Sequence, residues 1–137
     1  AGPRVSEAVN TKLGDADSIG REITFIGKGN KVRVVPMSAK IHHAISDYLK
    51  VRRSDSTYLF VGRTGDKLHR STVNKLCSKF SEDIEPHKLR HFFCTRALEV
   101  GYSLAEVAYM AGHSNVRTTT GYLHASRKEM IEKADRL

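Results

Sequence analysis

Cysteine is scarce in this chain of 137 residues, with only Cys77 and Cys94. Two thiols are too few for a disulfide framework, and both fall in helical patterns that suit small buried residues. The simplest setting for them is a reducing compartment inside the cell, the cytoplasm. No apolar run approaches the ~20 residues that a membrane-spanning helix needs. No signal-peptide pattern opens the chain. Internal repeats and low-complexity tracts are absent, which excludes a solenoid array or a long unfolded segment. Acidic residues are also in short supply. There are 15 of them against 23 Lys and Arg, so the formal net charge is +8 and the isoelectric point lies near 9.7.

What is present suits one folded domain. The length fits a single core. Apolar residues at 39% and charged residues at 28% match a globular chain better than a disordered one. The basic excess points to a polyanionic partner, because clustered Lys and Arg displace counterions from phosphates.

Patterning predicts an α+β domain, mainly helical, with a small three-stranded antiparallel sheet near the N-terminus. Residues 4–13 read as a short helix through Val5, Ala8, Val9 and Leu13, ended by Gly14-Asp15-Ala16-Asp17. Residues 22–36 alternate as a β-hairpin, with Gly27-Lys28-Gly29-Asn30 turning it and Pro36 closing it. Residues 58–61, YLFV, read as the third strand. Helices follow at 39–52, capped by Ser38, and from Ser71 through Ile84. Others run at 86–100 from Pro86, at 104–112 capped by Ser103, at 115–123 and at 127–136.

Several residues stand out chemically. In PHKLRHFF, His87 and Arg90 are three apart and share a helix face, with Leu89, Phe92 and Phe93 marking the apolar side. His87, His91 and Cys94 have a spacing that suits a metal, but no fourth ligand stands out, and no metal is expected. The stretch SLAEVAYMAGHSNVRTTTGYL reads as helix, glycine turn and polar helix. On its own it fits a helix-turn-helix that offers Arg117 and three threonines to DNA. A non-catalytic DNA-binding module is therefore the alternative reading of the whole chain.

Four separated motifs agree in order and spacing: GPRVSEAVNTKLGDAD, IGKGNKVRVVP, HKLRHFFCTRAL and AGHSNVRTTTGYLH. They span residues 2–124, and in them the chain resembles the tyrosine recombinase family of phage integrases and Xer-like recombinases. Type IB topoisomerases share the chemistry, but the close GHSNVRTTTGYLH form looks more like a recombinase. The resemblance implies a domain that cleaves and rejoins DNA through a 3′-phosphotyrosyl link, with no cofactor. It implies Tyr122 as nucleophile and Arg4 and Arg90 as phosphate-gripping cations. Lys28 matches the general acid, and His87 and His113 match the groups that bond the phosphate and assist proton transfer. Lys31, Arg33, Arg63, Lys88 and Arg117 are the basic residues expected to meet DNA.

The implied partners are double-stranded DNA at a specific site and further protomers, as a tetramer on DNA, with action at the bacterial nucleoid and none at a membrane. The chain departs from the family at Pro3, where a larger apolar residue is usual. Neither the helix that normally precedes this arginine nor the family's separate N-terminal core-binding domain is represented. The expectation is a catalytic-domain fragment of a longer protein.

Overall fold

The computed structural model describes residues 1–113 and 127–137. Their element order is α1 (Val5–Asn10), β1 (Ala16–Asp17), β2 (Glu22–Ile26), β3 (Val32–Pro36), α2 (Ala39–Val51), α3 (Arg70–Phe80), α4 (Pro86–Glu99), α5 (Leu104–Ala111) and α6 (Arg127–Asp135). Helices dominate, and one antiparallel sheet of order β1-β2-β3 sits near the start, as the patterning predicts.

The hairpin is the clearest local success. β2 and β3 pair from Glu22 opposite Pro36 to Ile26 opposite Val32. A turn at Lys28–Asn30 joins them, and Gly29 (φ 72) and Asn30 (φ 56) both take the left-handed conformation that the tip requires. Ile23, Phe25 and Val35 point inward and are buried, while Ile26, Val32 and Val34 face out. Burial of a side chain such as Phe25 stabilises the fold by roughly 2 kcal/mol.

The third strand is not the predicted one. It is Ala16–Asp17, which pairs with β2 through Ala16–Ile23 and Asp17–Glu22. Residues 58–61 bend rather than run as a strand, and although Leu59 is fully buried their main-chain bonds go elsewhere. The Leu59 amide donates to Thr11 O at 2.8 Å and the Leu13 amide to Thr57 O at 2.9 Å. Tyr58 bridges Lys12, and Val61 bridges Lys67. The same pairing explains why α1 stops at Asn10 rather than reaching residue 13, because Thr11 to Leu13 are engaged with 57–59.

Most helix ends follow local rules. Ser38 Oγ accepts the Ile41 amide, and Pro86 stands in the first turn of α4. Ser103 and Glu106 form a capping box, with Glu106 N–H to Ser103 Oγ at 3.1 Å and Ser103 N–H to Glu106 Oε2 at 2.6 Å. The cap of α3 is His69 rather than Ser71, since the His69 Nδ1 accepts the Ser71 amide. The predicted inner faces of α3 and α4 are only partly correct. Leu76, Phe80, Leu89 and Phe92 are exposed, whereas Phe93 and Ala97 turn inward as expected and Arg90 joins them. These three recur at i, i+3 and i+7, which is one helix face.

α6 closes the fold. Ala134 is buried, and Tyr102 Oη donates to Met130 O at 2.7 Å. Lys133 Nζ donates to both Glu106 oxygens at 3.3 and 3.4 Å. Asp135 accepts from Arg21 and from the Ala39 amide at 2.8 Å, at the first turn of α2. The predicted helix at 115–123 lies outside the described residues.

Candidate active site

The site forms around the C-terminal end of α5. A helix leaves its last carbonyls without intrahelical partners. Two of them are satisfied locally: Gly112 N–H donates to Tyr109 O at 2.9 Å and His113 N–H to Ala108 O at 3.0 Å. This reversal needs the left-handed conformation at Gly112 (φ 68) and is the usual glycine stop.

The next three carbonyls are each taken by an arginine from elsewhere in the chain. Arg33 Nε donates to Met110 O at 2.8 Å. Arg90 Nη2 donates to Ala111 O. Arg4 Nη1 donates to Gly112 O at 3.2 Å. Three positive groups thus meet the negative end of the helix dipole, an arrangement worth up to about 2 kcal/mol per charge in partly buried geometry.

Glu7 is the counter-charge. Its Oε1 and Oε2 accept from Arg33 Nη1 and Nη2 at 2.8 and 2.7 Å. Oε2 also takes the Arg4 amide at 2.7 Å, and Oε1 lies 3.4 Å from Arg4 Nη1. Burial pushes the Glu7 carboxyl up. Hydrogen bonds from Arg33 and the Arg4 amide, with the two guanidinium charges, outweigh it and hold the carboxyl below its usual value.

Arg90 is half-buried, and its Nη1 donates to Gly2 O at 2.7 Å. Burial first, then the nearby charge of Arg4, hold its guanidinium below the ordinary arginine value. His113 is exposed just beyond Gly112. Desolvation, followed by the charges of Arg90, Arg4 and His91, lowers its imidazole below the ordinary histidine value. The like charges of Arg4 and Arg90 therefore crowd one locality beside a histidine whose proton they oppose. Such a locality favours an incoming anion, and guanidinium groups suit phosphate oxygens.

The structure brings together Arg4, Arg90 and His113. His87 lies one turn before His91 on α4, and their rings stack with centroids 4.3 Å apart. No hydrogen bond joins His87 or Lys28 to the arginines among the described residues. Lys28 stands exposed at the hairpin tip. Among the described residues no group of three His, Cys, Asp or Glu is placed to hold a metal ion. Tyr122 and Arg117 lie outside the described residues.

Of the expected DNA contacts, Lys31, Arg63 and Lys88 are exposed. Arg33 is not: it is 5% exposed, and each of its three guanidinium nitrogens donates a bond inside. It is an interior cation, because Glu7 and the Met110 carbonyl together replace the water it loses. Sequence reasoning missed Glu7 and the closeness of His91 to His113. Glu7 left one signal, an acid three residues after Arg4, the residue that caps α1.

The chain is similar to known proteins in both sequence and fold. Residues 1–129 match the phage integrase family. The chain is 42% identical over 142 residues to the TnP I resolvase of Bacillus thuringiensis, a match covering 99% of this chain and 50% of that protein. It is 39% identical over 148 residues to the tyrosine recombinase XerA of Pyrococcus horikoshii, covering 98% and 51%. Among solved structures, a crystal structure of XerA recombinase matches with a TM-score of 0.78 at 31% identity, covering 96% of this chain and 52% of that one. The XerH site-specific recombinase in a post-cleavage complex with its palindromic difH substrate matches with a TM-score of 0.70 at 25% identity, covering 97% and 41%. The chain spans about half the length of the curated relatives it matches.

Proposed function

The chain belongs to the phage integrase family, and from that membership we propose that its arginine cluster is the active site of a site-specific DNA recombinase. The observation that carries this reading is the convergence of Arg4 and Arg90, remote in sequence, beside His113 at the end of α5.

In this reading the Tyr122 oxygen attacks a DNA phosphorus. The bond from phosphorus to the 5′-oxygen breaks, and Lys28 gives that oxygen its proton. Arg4 and Arg90 hold the non-bridging oxygens as charge gathers on them. His87 and His113 bond the phosphate and help move protons. The product is a 3′-phosphotyrosyl link, which a 5′-hydroxyl of another strand displaces to rejoin the DNA. The link retains the bond energy, so no nucleotide cofactor enters. Lys31, Arg63, Lys88 and Arg117 steer the duplex onto the site. Double-stranded DNA at a recombination site is the substrate, further protomers complete a tetramer on it, and the work is done at the nucleoid.

The test uses a duplex carrying a nick that lets the freed fragment escape and traps the covalent state. The expected result is a denaturation-stable protein–DNA adduct that Tyr122→Phe abolishes while DNA binding persists. Binding without any adduct from the unsubstituted protein would favour a helix-turn-helix module instead.

A further inference from the structure

Among the described residues, Arg33 is the one expected on the DNA-facing surface that the fold has drawn inside, and the proposed reaction leaves it without a task. It stands on β3, five residues after Lys28. Its guanidinium lies 5.2 Å from the centroid of the Phe25 ring. It grips Glu7 with both terminal nitrogens and Met110 O with Nε.

Arg4 is held at two places, and Arg33 bonds to the first and two residues short of the second. One hold is the Glu7 carboxylate, which takes the Arg4 amide at 2.7 Å and faces its Nη1 at 3.4 Å. The other is the end of α5, where Gly112 O takes Arg4 Nη1 at 3.2 Å. Arg33 fixes both ends of that clamp. The fit has no slack, since a Cβ on Gly112 would come within 2.8 Å of Arg33 Nη1. Because His113 follows Gly112, the same guanidinium also sets where that imidazole leaves the helix.

We propose that Arg33 is a positioning residue for DNA cleavage, joining the Lys28 hairpin, the Arg4 turn and the His113 end of α5 into one rigid frame. The assignment rests on the recombinase reading above. A lysine in its place keeps the charge but cannot hold Glu7 with two donors and Met110 with a third. A shift of about 1 Å at Arg4 is enough to slow the chemistry roughly 100-fold.

The test measures single-turnover adduct formation on the nicked duplex in the intact protein, together with DNA affinity and melting temperature. Arg33→Lys is expected to cleave about 100-fold more slowly while its DNA affinity is nearly kept. In an Arg4→Ala background the same change should add no more than about a twofold effect, because its route to the reaction is gone. Full additivity of the two would mark Arg33 as merely structural and overturn the proposal.

A second variant guards against simple unfolding. Glu7→Leu with Arg33→Met replaces both buried charges by apolar groups, a change that often preserves stability. It is expected to melt near the unsubstituted protein yet remain slow, and recovery of the rate would sink the proposal. Unchanged cleavage in Arg33→Lys overturns this assignment alone. Absence of adduct from the unsubstituted protein overturns the recombinase reading, and this assignment with it.

Discussion

Arg90 donates to the carbonyl of Ala111, one residue before the glycine that ends α5 and two before His113. A half-buried guanidinium on α4 is thereby locked to the helix end that presents the histidine. The lock orients the cation before any phosphate arrives. Arg90→Ala should slow adduct formation by about 100- to 1,000-fold, the usual loss for one charge-stabilising donor. DNA affinity should fall far less, because many phosphate contacts remain. Single-turnover cleavage and a binding titration on the same duplex separate the two. Comparable losses would make Arg90 a phosphate anchor.

His113 should titrate below the ordinary histidine value of 6.5, because desolvation and the charges of Arg90, Arg4 and His91 all oppose its proton. Arg4→Gln removes one of those charges, so the midpoint should rise. An NMR titration of the imidazole reads it directly. A midpoint that stays put in Arg4→Gln would mean that the Arg4 charge plays no part in setting it.

Glu7 makes stability depend on pH at the acid end. Its folded carboxyl lies below the unfolded value of 4.5, so its contribution is complete above that value and fades as pH falls through the folded one. Glu7→Gln should cost about 3 kcal/mol near neutrality, since it leaves Arg33 buried without its counter-charge. The gap between the two proteins should hold steady down to about pH 5 and narrow below it. Urea melts across that range supply the measurement, and a gap that widens on acidification would contradict the ion pair.

Gly112→Ala should destabilise the fold by roughly 1–3 kcal/mol. The left-handed backbone there penalises any side chain, and the added methyl would press on Arg33. Thermal melting tests the loss. Pairing the change with Arg33→Met should relieve part of it if the press is real, and the backbone part should remain.

Local chemistry made the hairpin legible. Gly29 and Asn30 supply the turn, Pro36 closes β3, and the alternation of Ile23, Phe25 and Val35 declares the inner face. Ser38, Ser103 and Gly112 announce helix ends because each acts on its own neighbours. Pairing across distance was not legible. Ala16–Asp17 has too few residues to show alternation, whereas YLFV has the composition of a strand without its partner. Charge was misread for a related reason. Arg33 and Glu7 are 26 positions apart, and Arg4 and Gly112 are 108 apart, so no local pattern shows that they meet. Arg33 in KVRVV looks like any solvated cation until Glu7 is brought against it. Arg4, Arg90 and His113 were found through the resemblance, and geometry then supplied what holds them.

The docking of α6 anchors a radius. Tyr122 and Lys128 are six residues apart in the chain, and extended backbone covers no more than about 3.6 Å per residue. Chain length alone therefore keeps the Tyr122 backbone within roughly 22 Å of that of Lys128. Because Lys133 holds Glu106 and Asp135 holds the start of α2, the centre of that radius is pinned to the body of the domain, and in the proposed reaction a phosphate has to come within it. Loosening those fastenings, with salt or by Asp135→Asn, would free the centre of that radius to move without touching a single residue of the proposed chemistry.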